Sequence, residues 1–210
     1  MSISGTLKGI RFSLRDKFLN RKNRKNLTNI NPTLITSDCI GAVVAHDLRL
    51  RFNSPTVDFY FSASGFLEFI ENPEKYIDAK MCESDETGYP YPVAKLIDIS
   101  LYLVHYKDIQ SAQIAWDRRK KRMNLNNAYY FITDRNGCTE QDIARFDKLP
   151  YKHKVIFVHL REWAEKYESA FYIRGFDLEP CVGTMTAYNP KIGIRRNIDQ
   201  FDYINFLNNI

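Results

Sequence analysis

Cysteine is scarce in this chain: its 210 residues include four, Cys39, Cys82, Cys138 and Cys181. They lie far apart, with no CxxC pair and no Cys/His ligand spacing, so neither a disulfide frame nor a metal site is expected. The expectation is free thiols in a reducing compartment. Long apolar runs are also missing. None approaches the roughly 20 residues needed to cross a bilayer. The opening MSISGTLKGIRFSLRDKF lacks the unbroken apolar stretch of a secretory signal. The cytoplasm is therefore the expected location, with contact at the inner face of the membrane left open. No P-loop, GxGxxG or HExxH occurs. The DxD metal motif of many sugar-nucleotide transferases is absent too, Asp85-Glu86 being the nearest acidic pair. Nothing in the sequence names a cofactor. No nucleic-acid module or aromatic platform stands out, so nucleic acid is not an expected partner.

What is present is an ordinary globular composition, 44% apolar and 26% charged, at a length suited to one sizeable core. The net charge of +5 is spread unevenly. Residues 1–31 carry eight Lys or Arg against Asp16 alone, and the remainder is slightly acidic. Leu7, Ile10, Leu14 and Phe18 recur there at helical spacing, which predicts a basic amphipathic N-terminal helix. Such a helix can lie on an anionic membrane, or pack on the body with its charges in water. The division expected is a leader over 1–31 and a single α/β domain over 32–210.

Short apolar runs alternate with helical patterns through the rest of the chain. Strands are expected at 33–36, 57–61, 101–104, 129–132, 155–158 and 171–173. Helices are expected over 37–45, 62–72, 73–77, 139–149, 162–167 and 198–207, with a basic one of about four turns between 105 and 129. Cys82 to Pro92 reads as a surface loop, a candidate lid. The pattern predicts a three-layer α/β sandwich with a mostly parallel sheet. Its central unit is a right-handed crossover from 101–104 to 129–132.

Parallel sheets bind their ligands beyond the carboxyl ends of the strands. There the expected strands end in Ser37-Asp38-Cys39, Ser62, His105-Tyr106, Asp134 and His159. Cys39, expected in the first turn of a helix whose dipole favours the thiolate, is the candidate nucleophile, although adjacent Asp38 opposes ionisation. His105 is the candidate base, with Asp134 orienting its other nitrogen. Ser37, Asp38, Ser62 and Tyr106 are candidate substrate contacts. The run from Arg118 to Arg122 is densely basic, and Arg118, Arg119 and Arg122 are the candidates there for holding an anion.

The segments ITSDCIGAVVAHDLRLRFNSPTV, YPVAKLIDISLYLVHYK and AWDRRKKRMNLNNAYYFITDRNGCTEQDIARFDKLPYKHKVIF, with the terminal FDYINFLN, resemble a bacterial family, domain of unknown function nineteen-nineteen. The resemblance runs from about Thr33 to Leu207. Asp38, Ile40 and Ala42 depart from the family's Asn, Trp and Gly in the cysteine motif. Members are commonly labelled exopolysaccharide or capsule biosynthesis proteins. The resemblance therefore implies a glycan, or a nucleotide- or lipid-linked sugar, as substrate. Joined to the Cys39, His105 and Asp134 reading, it implies a transferase of surface-polysaccharide assembly that moves an acyl-type group to a glycan. The alternatives are a glycosyl- or phosphosugar transferase with His105 or Asp134 as base, and a non-catalytic glycan-binding component.

Overall fold

A computed structural model describes residues 3–189 and 193–209, with side chains from residue 9 onward. Four strands form a parallel sheet in the order β1-β5-β6-β7: β1 (Thr33–Thr36), β5 (Ala128–Thr133), β6 (Lys154–Val158) and β7 (Ala170–Tyr172). All six residues of β5 are buried, as a central parallel strand covered on both faces requires. Its side chains alternate between two cores. Tyr130 and Ile132 meet Phe66 and Phe69 of α4 (Ala63–Glu71), Trp116 of α6 (Ile109–Lys120), and Ile143 and Phe146 of α7 (Glu140–Asp147). Tyr129 and Phe131 face Ile40 and Val44 of α3 (Ile40–Leu48), and Tyr203 and Leu207 of α9 (Tyr203–Asn208). The result is the expected sandwich of a parallel sheet between helical layers.

The expected crossover is not there. β4 (Ile99–Tyr102) belongs to a second, antiparallel sheet with β2 (Cys82–Glu83) and β3 (Val93–Leu96). Its burial explains why. Ile99 and Leu101 point inward while Ser100 and Tyr102 are only half-buried, the alternation of a sheet with one wet face. A two-residue turn at Ile97-Asp98 joins β3 to β4. The expected lid contributes strand β2, and its Glu86 accepts hydrogen bonds from Ser100 and Tyr102. The strand expected at 57–61 is instead a turn, with Asp58 at φ 67° and a single bridge from Tyr60 to Tyr102. The terminal helix expected over 198–207 breaks at Phe201. A 3-10 turn over Asn197–Gln200 precedes α9, which Asp202 caps.

The N-terminal helix is present as α1 (Ile3–Arg15), continued by a π-helical turn (Asp16–Asn20) and α2 (Arg21–Asn26). Its apolar stripe does not face the body. Ile10, Leu14 and Phe18 are 52%, 42% and 60% exposed, and the side chain of Leu7 lies outside the described residues. The contact with the body is polar. Fully buried Arg15 donates to Asp47 at 2.9 Å and grips Asp199 with both terminal nitrogens, at 2.5 and 2.9 Å. Burial works against its charge, but Asp199 and Asp47 outweigh that and hold the guanidinium above its ordinary range.

Candidate active site at the Cys39 turn

β1 ends at the carboxyl edge of the parallel sheet, and three contacts fix the turn beyond it. The Thr36 hydroxyl donates to the Asp38 carbonyl at 2.7 Å, and the Ile40 N–H donates to the Asp38 carboxyl at 2.9 Å. The Val43 N–H donates to the Cys39 carbonyl at 3.1 Å, opening α3 with Cys39 itself at the N-cap. Gly41 lets the helix approach the strand end, since a Cβ there would stand 2.8 Å from the Thr36 side chain. The segment Asn53-Ser54-Pro55-Thr56 braces β1, which is an edge strand. The Thr56 hydroxyl accepts the Thr36 N–H at 3.0 Å, and the Asn53 amide donates to Asn31 and to the Pro32 carbonyl.

His105 arrives from the other sheet. After β4 the chain turns at buried Leu103, with the Tyr106 N–H donating to the Leu103 carbonyl at 3.0 Å. Tyr106 lies on Phe59, ring centroids 4.9 Å apart, and its hydroxyl accepts from Arg119 at 2.7 Å. The exposed imidazole between these anchors brings Nε2 to 3.1 Å from the Cys39 Sγ. The sequence placed both residues at one site, though by a sheet connection that does not exist.

Asp134 does not orient His105. It is 3% exposed and serves His159 instead, with Oδ2 accepting the His159 N–H at 2.7 Å and lying 2.5 Å from Nδ1. Its Oδ1 accepts the Val182 N–H at 2.7 Å, which ties the 181–186 loop to the sheet edge. The reason is register: β5 and β6 are direct neighbours, while β4 is in another sheet. The geometry at Cys39 is thus a dyad.

The other candidates divide. Asp38 lines the cavity beside Cys39, and burial pushes its carboxyl up, toward the neutral form. Ser37 is buried. Ser62 caps α4, accepting the Gly65 N–H at 3.1 Å. Arg119 is buried and committed to Val57, Tyr106 and Asp58, while Arg122 holds the Phe52 carbonyl. These two arginines and Tyr106 brace the 52–58 loop, so they are not free to hold substrate. Arg118 is exposed on α6.

Cys39 lines a cavity of about 170 Å³ with Tyr60, Val104, Arg135, Thr184 and Met185 among its other walls. Arg135 and Tyr60 were missed in the sequence. Arg135 directly follows a strand end already singled out, so its position was legible. Tyr60 was hidden by the strand reading. Burial, then the charges of Asp38 and Asp58, push the Cys39 thiol up to about 11. The thiol is therefore protonated at neutral pH and lies within hydrogen-bond reach of Nε2. A helix N-terminus does not deliver a standing thiolate here. Among the described residues, no group of three or more His, Cys, Asp or Glu side chains could hold a metal ion. No described helix is long and apolar enough to cross a membrane.

An α/β protein with a thiol–imidazole pair beside a small cavity is the class that fold and site define. The chain belongs to the family described as Domain of unknown function (DUF1919), whose model matches residues 11–208. It is 40% identical over 191 residues to an "Uncharacterized protein" of Haemophilus influenzae (strain ATCC 51907 / DSM 11121 / KW20 / Rd), covering 91% of each chain. The match takes in Arg15 and most of the basic N-terminal segment as well as the sheet.

Proposed function

We propose that this protein transfers an acyl-type group through a covalent intermediate on Cys39, with His105 as the general base. The observation that carries the reading is the 3.1 Å approach of Nε2 to Sγ. Sγ attacks the donor's carbonyl carbon as the thiol proton passes to Nε2. The bond from that carbon to the donor's leaving group then breaks, and the imidazolium protonates the leaving group. An acceptor hydroxyl next attacks the thioester and loses its proton to Nε2. The C–S bond breaks, and Cys39 regains a proton from the imidazolium. The resemblance implies a bacterial surface glycan as the source of that hydroxyl.

The test uses an activated donor, p-nitrophenyl acetate. Acetyl should accumulate on Cys39, be released by neutral hydroxylamine, and be absent in Cys39→Ala. Intact Cys39 without acetyl would overturn the acyl-transfer reading. If Cys39→Ala kept a sugar-nucleotide activity, the glycosyl or phosphosugar alternative would replace it.

We also infer that the protein works at an anionic membrane surface, at the inner face for a cytoplasmic protein. Exposed Ile10, Leu14 and Phe18 stand beside exposed Lys17, Arg21, Lys22 and Lys25. That combination suits an interfacial helix, its apolar side chains entering the acyl boundary while the cations meet lipid phosphates.

A further inference from the structure

Arg135 follows β5 at the carboxyl edge and lines the cavity that Cys39 lines. Its guanidinium differs from the other half-buried or buried arginines near the site. Arg119 is committed to Asp58 and Arg122 to a carbonyl, whereas Arg135 has one neutral partner, the Thr184 hydroxyl at 3.3 Å. No carboxylate lies within 4.0 Å of it among the described residues. Asp38 lines the same cavity and acts on the guanidinium through space, without an ion pair within 4.0 Å. The Arg135 guanidinium thus has no direct ion-pair partner among the described residues. Ile40, Val104 and Met185 give the cavity apolar lining as well. The 184–186 segment is fixed from outside, because Asn197 and Ile198 hydrogen-bond to its Thr184 and Met185 carbonyls at 3.0 and 2.9 Å.

A planar guanidinium with open donors in a small, partly apolar cavity recognises a carboxylate or phosphate by paired hydrogen bonds. At about 170 Å³ the cavity is below the usual range for a whole drug-sized ligand, so it takes a small anionic group and not an entire nucleotide. We propose that Arg135 is the anion-binding residue of this site, and that the group presented to Cys39 carries a carboxylate or a phosphate. The inference rests on the Cys39–His105 reading and adds a substrate class to it. The carboxylate would belong to the acyl group, as in a dicarboxylic half-ester. The phosphate would belong to the donor.

Two alkylating agents of nearly equal size test it, iodoacetate with a carboxylate and neutral iodoacetamide. Peptide mass spectrometry gives the rate at each cysteine, with exposed Cys82 as the internal reference. The iodoacetate-to-iodoacetamide ratio at Cys39 should exceed that at Cys82 by about tenfold, the scale of local charge steering. Arg135→Gln should bring the Cys39 ratio down to that of Cys82, and Arg135→Lys should retain part of the excess. Equal ratios in wild type and Arg135→Gln, with iodoacetamide still dependent on His105, would overturn the anion site and leave the dyad standing. Loss of the His105 dependence would instead remove the dyad. Thermal stabilisation by succinate or by inorganic phosphate then decides Arg135 independently of Cys39. A shift lost in Arg135→Gln supports the site, and which anion gives it separates the two sources. No shift from either anion overturns it.

Discussion

Asp134 shows how much a residue's role depends on its neighbour across the sheet. Its carboxylate bridges the His159 backbone and ring to the Val182 N–H, all buried at one strand end. Asp134→Asn keeps the size but replaces an acceptor by a donor, leaving at least one buried N–H without its partner. The expected cost is about 1–3 kcal/mol of stability, measurable by denaturant unfolding. The His105 dependence of Cys39 chemistry should survive it. A folded variant that lost that dependence would make Asp134 part of the site after all. The sequence marked Asp134 correctly as a strand-end carboxylate. It could not say which of two histidines it serves, because strand order is a long-range property. Arg119 and Arg122 carry the same lesson, since a charge run on a helix shows charge but not which guanidinium the fold will bury.

At the scale of elements, periodicity revealed most of what is local. β1 and β5, the helices over 63–71 and 140–147, and the Thr139 capping box with Asp142 all follow from the spacing and end signals of the sequence. The hairpin of β3 and β4 was legible in the alternation of Ile99, Ser100, Leu101 and Tyr102, but an apolar run next to a helix reads as well as a parallel strand. The 57–61 segment has strand composition and still turns, because Arg119 holds the Val57 carbonyl and the Asp58 carboxylate. The exposed apolar stripe of the N-terminal helix yields a prediction of its own. Vesicles rich in phosphatidylserine should sediment the protein at low salt, and neutral phosphatidylcholine vesicles should not. Phe18→Ser with Leu14→Ser should weaken binding without lowering the melting temperature, since these side chains face water. Equal binding to neutral vesicles, or self-association through the stripe in place of lipid binding, would contradict the membrane reading.

At the scale of the whole molecule, the leader and the body are joined by a buried charge cluster. Arg15 and Arg196 both reach Oδ2 of Asp47, and Arg15 reaches Asp199, so residues 184 positions apart meet in one network. Arg15→Met would leave the Asp47 and Asp199 carboxylates buried with too few cations. Breaking a buried pair from one side typically costs about 3–5 kcal/mol, and a fall of that size in chemical denaturation is expected. A change under 1 kcal/mol would show that the helix is only loosely laid on the domain. This contact is not legible in the sequence, since one arginine among eight basic residues looks like any other until its depth is known. Cys39 is half-buried and keeps its proton, while the imidazole of His105 stands in solvent. The central claim is that His105 takes that proton. Its most direct test is the pH profile of Cys39 acetylation by p-nitrophenyl acetate in wild type and in His105→Gln. With the thiol pushed up to about 11, only about 10⁻⁴ of it is ionised at pH 7. The variant's rate should therefore climb about tenfold per pH unit toward pH 11. The wild type should exceed it at pH 7 by about 10²–10⁴ and level off well below that pH. Superimposable profiles, both rising toward pH 11, would show that His105 touches Cys39 without activating it.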